Sequence, residues 1–143
     1  MIDHIPWRNR LQTDCSLLEM RVHDFAQMVK DFGTWGADQL PAAYVYPYGD
    51  DQIEDNGATA RRQRNRFTVA VVIVVRSDST ASEVQYSTLV TARKAVAAAL
   101  VDALWTPPGC YSSPRYAGGQ SEEMRDDCLI WEDRYSADYF INY

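Results

Sequence analysis

The stretch Arg61-Arg62-Gln63-Arg64-Asn65-Arg66-Phe67-Thr68-Val69-Ala70-Val71-Val72-Ile73-Val74-Val75 decides the fold. Successive side chains of an extended chain point to opposite sides, so Phe67, Val69, Val71, Ile73 and Val75 fall on one face and Ala70, Val72 and Val74 on the other. Apolar residues on both sides predict a central strand covered on both faces. The first half is different in kind: Arg62, Arg64 and Arg66 alternate with Gln63 and Asn65. No core can hold such a row, so this half is expected to project beyond the body of the fold into solvent or a partner.

Upstream, Leu40 to Tyr48 reads as a strand, with Ala42-Ala43-Tyr44-Val45-Tyr46 bracketed by Pro41 and Pro47, whose missing N–H groups suit strand ends or sheet edges. The polar run Gly49 to Gly57, closed by Asn56-Gly57, has no periodicity and predicts a loop. Further back, the apolar residues between Trp7 and Phe32 are helical in spacing at both ends and irregular from Asp14 to Met20, which predicts two short helices flanking a short strand. Gly33 and Gly36 end this unit, as expected where a helix stops at a positive φ.

Downstream of the polar connection Ser77 to Ser82, the residues Tyr86, Leu89, Ala92, Val96, Leu100 and Leu104 recur at helical spacing and predict one long helix over Glu83 to Trp105. Its alanines favour the helix and leave slim faces for packing on a sheet, and Thr106-Pro107-Pro108-Gly109 stops it. Ser112 to Gln120 reads as a weak strand, Glu122 to Asp127 as an acidic turn, and Cys128 to Tyr143 as a terminal strand or strand pair. In the latter, Leu129, Trp131, Tyr135, Ala137, Tyr139 and Ile141 face the core while Glu132, Arg134, Ser136 and Asp138 are wet. Helices and strands mix without regular alternation. The expected fold is therefore α+β, a mostly antiparallel sheet with a long helix packed on one face and short N-terminal helices, formed by residues 1–143 as a single domain.

Composition narrows the functions. The chain has 143 residues and a net charge of −6, ample for one core and unfavourable to general phosphate binding. Cys15, Cys110 and Cys128 are widely spaced and odd in number, so neither a disulfide framework nor a zinc site is expected. The N-terminus lacks the basic and apolar regions of a signal peptide. The longest apolar run, Val69 to Val75, falls well short of the roughly 20 residues that cross a bilayer.

No catalytic constellation is visible. His4 and His23 stand alone without metal-ligand spacing, and Gly118-Gly119 has neither of the spacings that cradle a phosphate. The carboxylate groups Asp50, Asp51, Glu54, Asp55 and Glu122, Glu123, Asp126, Asp127 do not match a calcium loop and are expected to be solvated. Neither metal nor cofactor is expected, and the chain is not read as an enzyme. The basic cluster Arg61, Arg62, Arg64 and Arg66 fits a nucleic-acid backbone, or the acidic run Asp50, Asp51, Glu54 and Asp55 of a neighbouring copy. The second reading explains both charge clusters at once and ranks higher.

Taken in order, Leu40-Pro41-Ala42-Ala43-Tyr44-Val45-Tyr46-Pro47, Arg66-Phe67-Thr68-Val69, Leu104-Trp105-Thr106-Pro107-Pro108-Gly109, Tyr116-Ala117-Gly118-Gly119 and Trp131-Glu132-Asp133-Arg134-Tyr135 resemble the phage tail terminator family from about Leu40 to Tyr143. The resemblance implies a structural virion protein at the head-proximal end of a tail, assembled in the host cytoplasm. It further implies a six-membered homo-oligomeric ring on the last tail tube subunits that stops polymerisation and meets the head connector or a head completion protein. It carries no catalytic residues, no membrane and no sequence-specific nucleic acid. A head–tail joining or other tail completion protein is the alternative in the same class, and a small metal-dependent hydrolase the alternative outside it. Closed rings need two different complementary patches per copy, for which Arg61, Arg62, Arg64, Arg66 and Asp50, Asp51, Glu54, Asp55 are the candidates.

Overall fold

The computed structural model describes residues 2–54, 62–76, 82–125 and 128–142. In chain order these form α1 (Ile5–Asp14), β1 (Val22–Asp24), α2 (Phe25–Asp31), β2 (Ala42–Glu54), β3 (Arg62–Arg76), α3 (Ser82–Leu100), β4 (Arg115–Arg125) and β5 (Cys128–Asn142), with short 3-10 turns at Ser16–Leu18 and Ala37–Gln39. The strands make one five-stranded sheet in the order β1-β2-β3-β5-β4, in which β1–β2 is the parallel pair. The α+β class and the mostly antiparallel sheet are as the sequence predicts.

β3 lies at the centre, paired with β2 on one side and β5 on the other, and everything from Phe67 to Val75 is buried. Its two faces separate as the alternation requires. Phe67, Val69, Val71, Ile73 and Val75 pack with Trp7 and Leu11 of α1 and with Leu89, Ala92, Val96, Ala99 and Leu100 of α3. Val72 and Val74 join Ala42, Tyr44, Ile130 and Trp35, with Met28 and Phe32 of the α2 segment packed against them. That second layer is clamped by polar contacts: Trp35 Nε1 donates to the Tyr44 hydroxyl at 2.7 Å, and the same hydroxyl donates to Asp31 at 2.9 Å. Gly33 ends the α2 turn at φ 84°, as expected, whereas Gly36 has an ordinary φ of −81°.

Several expectations need correction. Gly49 to Glu54 is not a loop but the second half of β2, paired with Thr68, Phe67, Arg66, Asn65 and Arg64 across two bulges. Its partners are themselves polar, so no hydrophobic alternation marks it; residues 55–60, with Asn56-Gly57, lie outside the described residues. The acidic stretch from Glu122 likewise continues β4, again through bulges, and Asp126 and Asp127 lie outside the described residues. The arginine half of β3 does not project alone, because β2 and β5 flank it. The long helix stops at Leu100 rather than running to Trp105. Arg10 explains the stop: its guanidinium donates to the Ala99 carbonyl at 2.9 Å and to Asp102 at 2.9 Å, and Asp102 in turn accepts the Leu104 N–H at 2.9 Å.

The second face of β5 is not wet. Glu132, Ser136 and Asp138 are 4%, 2% and 2% exposed. On the helix side, Tyr135, Ala137 and Tyr139 are buried as expected while Trp131 is half-buried. Asp133, 1% exposed, sits on that side too, where it accepts hydrogen bonds from Arg93 Nε at 2.8 Å, Trp131 Nε1 at 2.8 Å and the Tyr116 hydroxyl at 3.0 Å. Gly119 is what admits this cluster, since a Cβ there would strike both the Asp133 carboxylate and the Tyr116 hydroxyl. Gly119→Ala is accordingly expected to cost about 1–3 kcal/mol, measured by urea unfolding; an unchanged midpoint would show that the cluster yields without strain.

Candidate functional site

Alternation along β3 puts Arg62, Arg64 and Arg66 on the α2 side of the sheet, beyond the apolar patch that α2 covers. The antiparallel register with β5 sets Arg66 opposite Asp138, Arg64 opposite Phe140 and Arg62 opposite Asn142. Asp138 therefore stands where the arginine row begins. Its carboxylate, 3% exposed, accepts from Arg66 Nε at 3.1 Å, from an Arg115 guanidinium nitrogen at 2.9 Å and from one of Arg64 at 3.4 Å. Its backbone N–H donates to Ser112 Oγ at 2.9 Å. Burial pushes the Asp138 carboxyl upward, but the hydrogen bonds and charges of Arg66 and Arg115 outweigh it and hold the group below the ordinary carboxylate range.

Next to this centre the side chains stack. Arg62 lies 3.5 Å above the Phe140 ring, Phe140 stacks on Tyr111 at 4.4 Å with 21° between the planes, and Arg64 closes the column with its Nε on the Tyr111 hydroxyl. Arg134 continues the basic surface one strand over, 5.0 Å from the Tyr48 ring and donating to its hydroxyl at 3.0 Å. Stacking and ion pairing hold planar guanidinium groups in fixed orientations, which favours recognition of carboxylate or phosphate surfaces. Arg64, Arg66 and Arg115 remain 41%, 39% and 42% exposed, so their outer edges stay accessible.

The acidic candidates behave differently. Asp50 points to the other face of the sheet, where it accepts from the Tyr139 hydroxyl at 2.6 Å and from Asn65 Nδ2 at 3.5 Å. Burial, then the hydrogen bond to Asp50, pushes the Tyr139 hydroxyl up to about 12, so it stays a donor. Asp51 is exposed, opposite Arg66 in register, and Glu54 is opposite Arg64. Arg61 and Asp55 lie outside the described residues. The structure thus gathers Arg62, Arg64 and Arg66 and turns Asp50 away from them. Two members of the cluster were missed by sequence reasoning. Asp138 was readable, because antiparallel pairing of β3 with the terminal strand brings a carboxylate of that strand to the arginine row; nothing local marks Arg115.

Among the described residues, no group of three or more His, Cys, Asp or Glu side chains is placed to hold a metal ion. His4 approaches Asp24 at 3.3 Å, and the His23 ring lies 5.7 Å from that of Tyr44. Asp138, its proton affinity lowered by the arginines that it gathers, is an electrostatic anchor for them, and the Cys110 thiol, pushed up to about 11 by burial and then by the Asp138 charge, is held away from the thiolate that a nucleophile needs. No helix among the described residues is long and apolar enough to cross a membrane.

Comparison with known proteins places this geometry in context. No curated protein matches the sequence at a significant level. A solved chain described as belonging to the virion of a native gene transfer agent particle is similar in fold, with a TM-score of 0.58 and 14% identity over 92% of this chain and 90% of that one. A second solved chain, 17% identical over 100% of this chain and 99% of its own, superposes with a TM-score of 0.39, too low to carry an argument. The model of the phage tail terminator protein family matches residues 1–143, a span that takes in the arginine-led strand, the helix beside it and the terminal strand that supplies Asp138. The chain belongs to the phage tail terminator protein family.

Proposed function

We propose that this protein acts as one structural domain of the virion, a ring of six copies that caps the phage tail tube, ends its polymerisation and offers the surface that the head connector or a head completion protein meets. Family membership and the likeness to a chain of a gene transfer agent virion support a tail structural role. The observation that carries the contact role is the basic ridge, in which one buried carboxylate orients three half-exposed guanidinium groups beside a stacked arginine–aromatic column. Arg62, Arg64 and Arg66, with Asp51 and Glu54 across the strand pair, are the proposed contacts to a neighbouring copy or to the tube. Arg61 and Asp55, outside the described residues, join them as candidates on sequence alone, whereas Asp50, bound to Tyr139 on the other face, does not. In this role the protein works at the head-proximal end of the tail, assembles in the host cytoplasm, and needs neither a metal nor a cofactor.

The test must spare the fold. Replacing all three strand arginines would strip Asp138 of two of its cations, whereas Arg62→Ser with Arg64→Gln leaves Arg66 and Arg115 in place. Exposed ion pairs are worth about 0–1 kcal/mol, so this double variant is expected to melt near the wild type while yielding overlong or unjoined tails. The assembly defect should be greatest at low ionic strength, where the lost attraction is least screened. Tail lengths read by electron microscopy decide the matter. Normal lengths and intact rings would refute the contact assignment, and loss of DNA affinity alone would replace it with a nucleic-acid reading.

A further inference from the structure

Two apolar surfaces of opposite charge lie on opposite layers of the sheet. On the first, α3 has already committed Leu89, Ala92, Val96, Ala99 and Leu100 to the core. At about 100° per residue its other side carries a second stripe, Tyr86 and Val90 within the helix and Val101 just past its end, which are 61%, 43% and 45% exposed. Exposed Lys94 borders that stripe, and beside it a cleft of about 290 Å³ opens between α3 and β4, walled by Val90, Lys94, Ala97, Tyr116 and Tyr135 with the ion pair of Arg93 and buried Asp133, so that Lys94 supplies the net charge of this surface. This surface is apolar and basic.

On the second layer, α2 covers only part of the sheet. Its Phe25 and Val29 are 49% and 63% exposed, and a cavity of about 390 Å³ lies between Met28 and Phe32 on one side and Tyr46, Val72 and Ile130 on the other. Two carboxylates line it, exposed Glu122 and Glu132, the latter 4% exposed. Glu132 accepts a hydrogen bond from the Tyr46 hydroxyl, while the cation paired with it among the described residues, Arg134, holds its Nε 4.0 Å away without a hydrogen-bond acceptor and donates through another nitrogen to Tyr48. A carboxylate buried with one neutral donor is costly, and an arriving ammonium group offsets that cost. This surface is apolar and acidic.

We infer that copies of this chain dock head to tail, the outer stripe of α3 with Lys94 on one copy entering the α2 groove with Glu122 and Glu132 on the next. The inference rests on the ring reading and gives it a second, independent contact. A closed ring of identical subunits requires two different patches per copy, and patches on opposite layers pass the contact on from copy to copy. Pairing like with like would set Lys94 against Lys94, or Glu122 against Glu122. An apolar stripe around one desolvated charge, meeting a groove of opposite sign, has the composition of an interface centre.

The experiment uses the full chain and charge exchange at exposed positions, with solution mass across a concentration series as the readout and melting temperature as the check on folding. Lys94→Glu and Glu122→Lys are each expected to weaken self-association about tenfold or more, equivalent to about 1.4 kcal/mol, and the two changes in one chain to restore it. Val29→Asp is expected to abolish association without unfolding the chain. Singles that associate like the wild type, or a double no better than either single, would overturn the docking while leaving a ring formed through other surfaces. A wild type that stays monomeric both alone and on tail tube ends would overturn the docking and the ring reading together.

Discussion

Trp7→Ala is expected to lower the stability of the protein by about 3–5 kcal/mol, the largest effect of any single truncation considered. Trp7 is 0% exposed and bridges three elements: its ring meets Phe67 of β3 edge-on at 6.3 Å and Trp105 at 5.7 Å, while Arg10 lies 5.3 Å from the Trp105 ring. Truncation would open a cavity where α1, the sheet and the segment after α3 converge. For a chain of this length the melting temperature should fall by roughly 10 °C or more. The indole Nε1 of Trp7 is buried without a hydrogen-bond partner, so the ring contributes by packing and edge-to-face contact and not through its N–H. Trp7→Phe, which removes that orphaned donor and keeps an aromatic ring, should therefore cost much less than Trp7→Ala. Equal losses for the two would show that shape alone decides the site.

Removing two cations from Asp138 should be of similar size. With Arg66→Ala and Arg115→Ala combined, the carboxylate keeps only Arg64, at 3.4 Å, as a cation partner among the described residues, and a buried charge stripped of its partners typically costs about 3–5 kcal/mol. The sign with pH follows from the lowered proton affinity of Asp138 in the folded state. A carboxyl held below its unfolded value of about 3.9 stabilises the fold fully above that pH and loses its contribution as the pH falls through the folded-state value. The gap between wild type and double variant, measured by urea unfolding, should be widest near neutral pH and shrink in acid, where Asp138 becomes protonated. A gap independent of pH would mean that the arginines act through packing of their aliphatic stems.

Where the partner of a residue was near in sequence, or where only its face mattered, the sequence was legible. The two faces of β3 could be read from the order of Phe67 to Val75, because a strand repeats every two residues and burial filters each face separately. The inner stripe of α3 followed equally from its helical spacing. Gly49 to Glu54 was misread for the converse reason: its strand conformation is sustained by a ladder to the polar half of β3 and leaves no hydrophobic signature of its own. The helix end at Leu100 was missed because Arg10, 89 residues away from Ala99, caps it.

By itself the sequence determined the α+β class, the apolar central strand, the long helix that lies on it and the arginine row as the feature to explain. Only the tertiary structure decided which groups that row meets. It set Arg66 on Asp138 across 72 residues, added Arg115, stacked Arg62 on Phe140 and turned Asp50 toward Tyr139 on the opposite face. Burial patterns are local and periodic, so a single chain displays them in its order of residues. The partner of a charge is set by strand register, and register is chosen by the whole sheet at once, which places every apolar face inward together and leaves each polar group with whatever that choice has brought beside it.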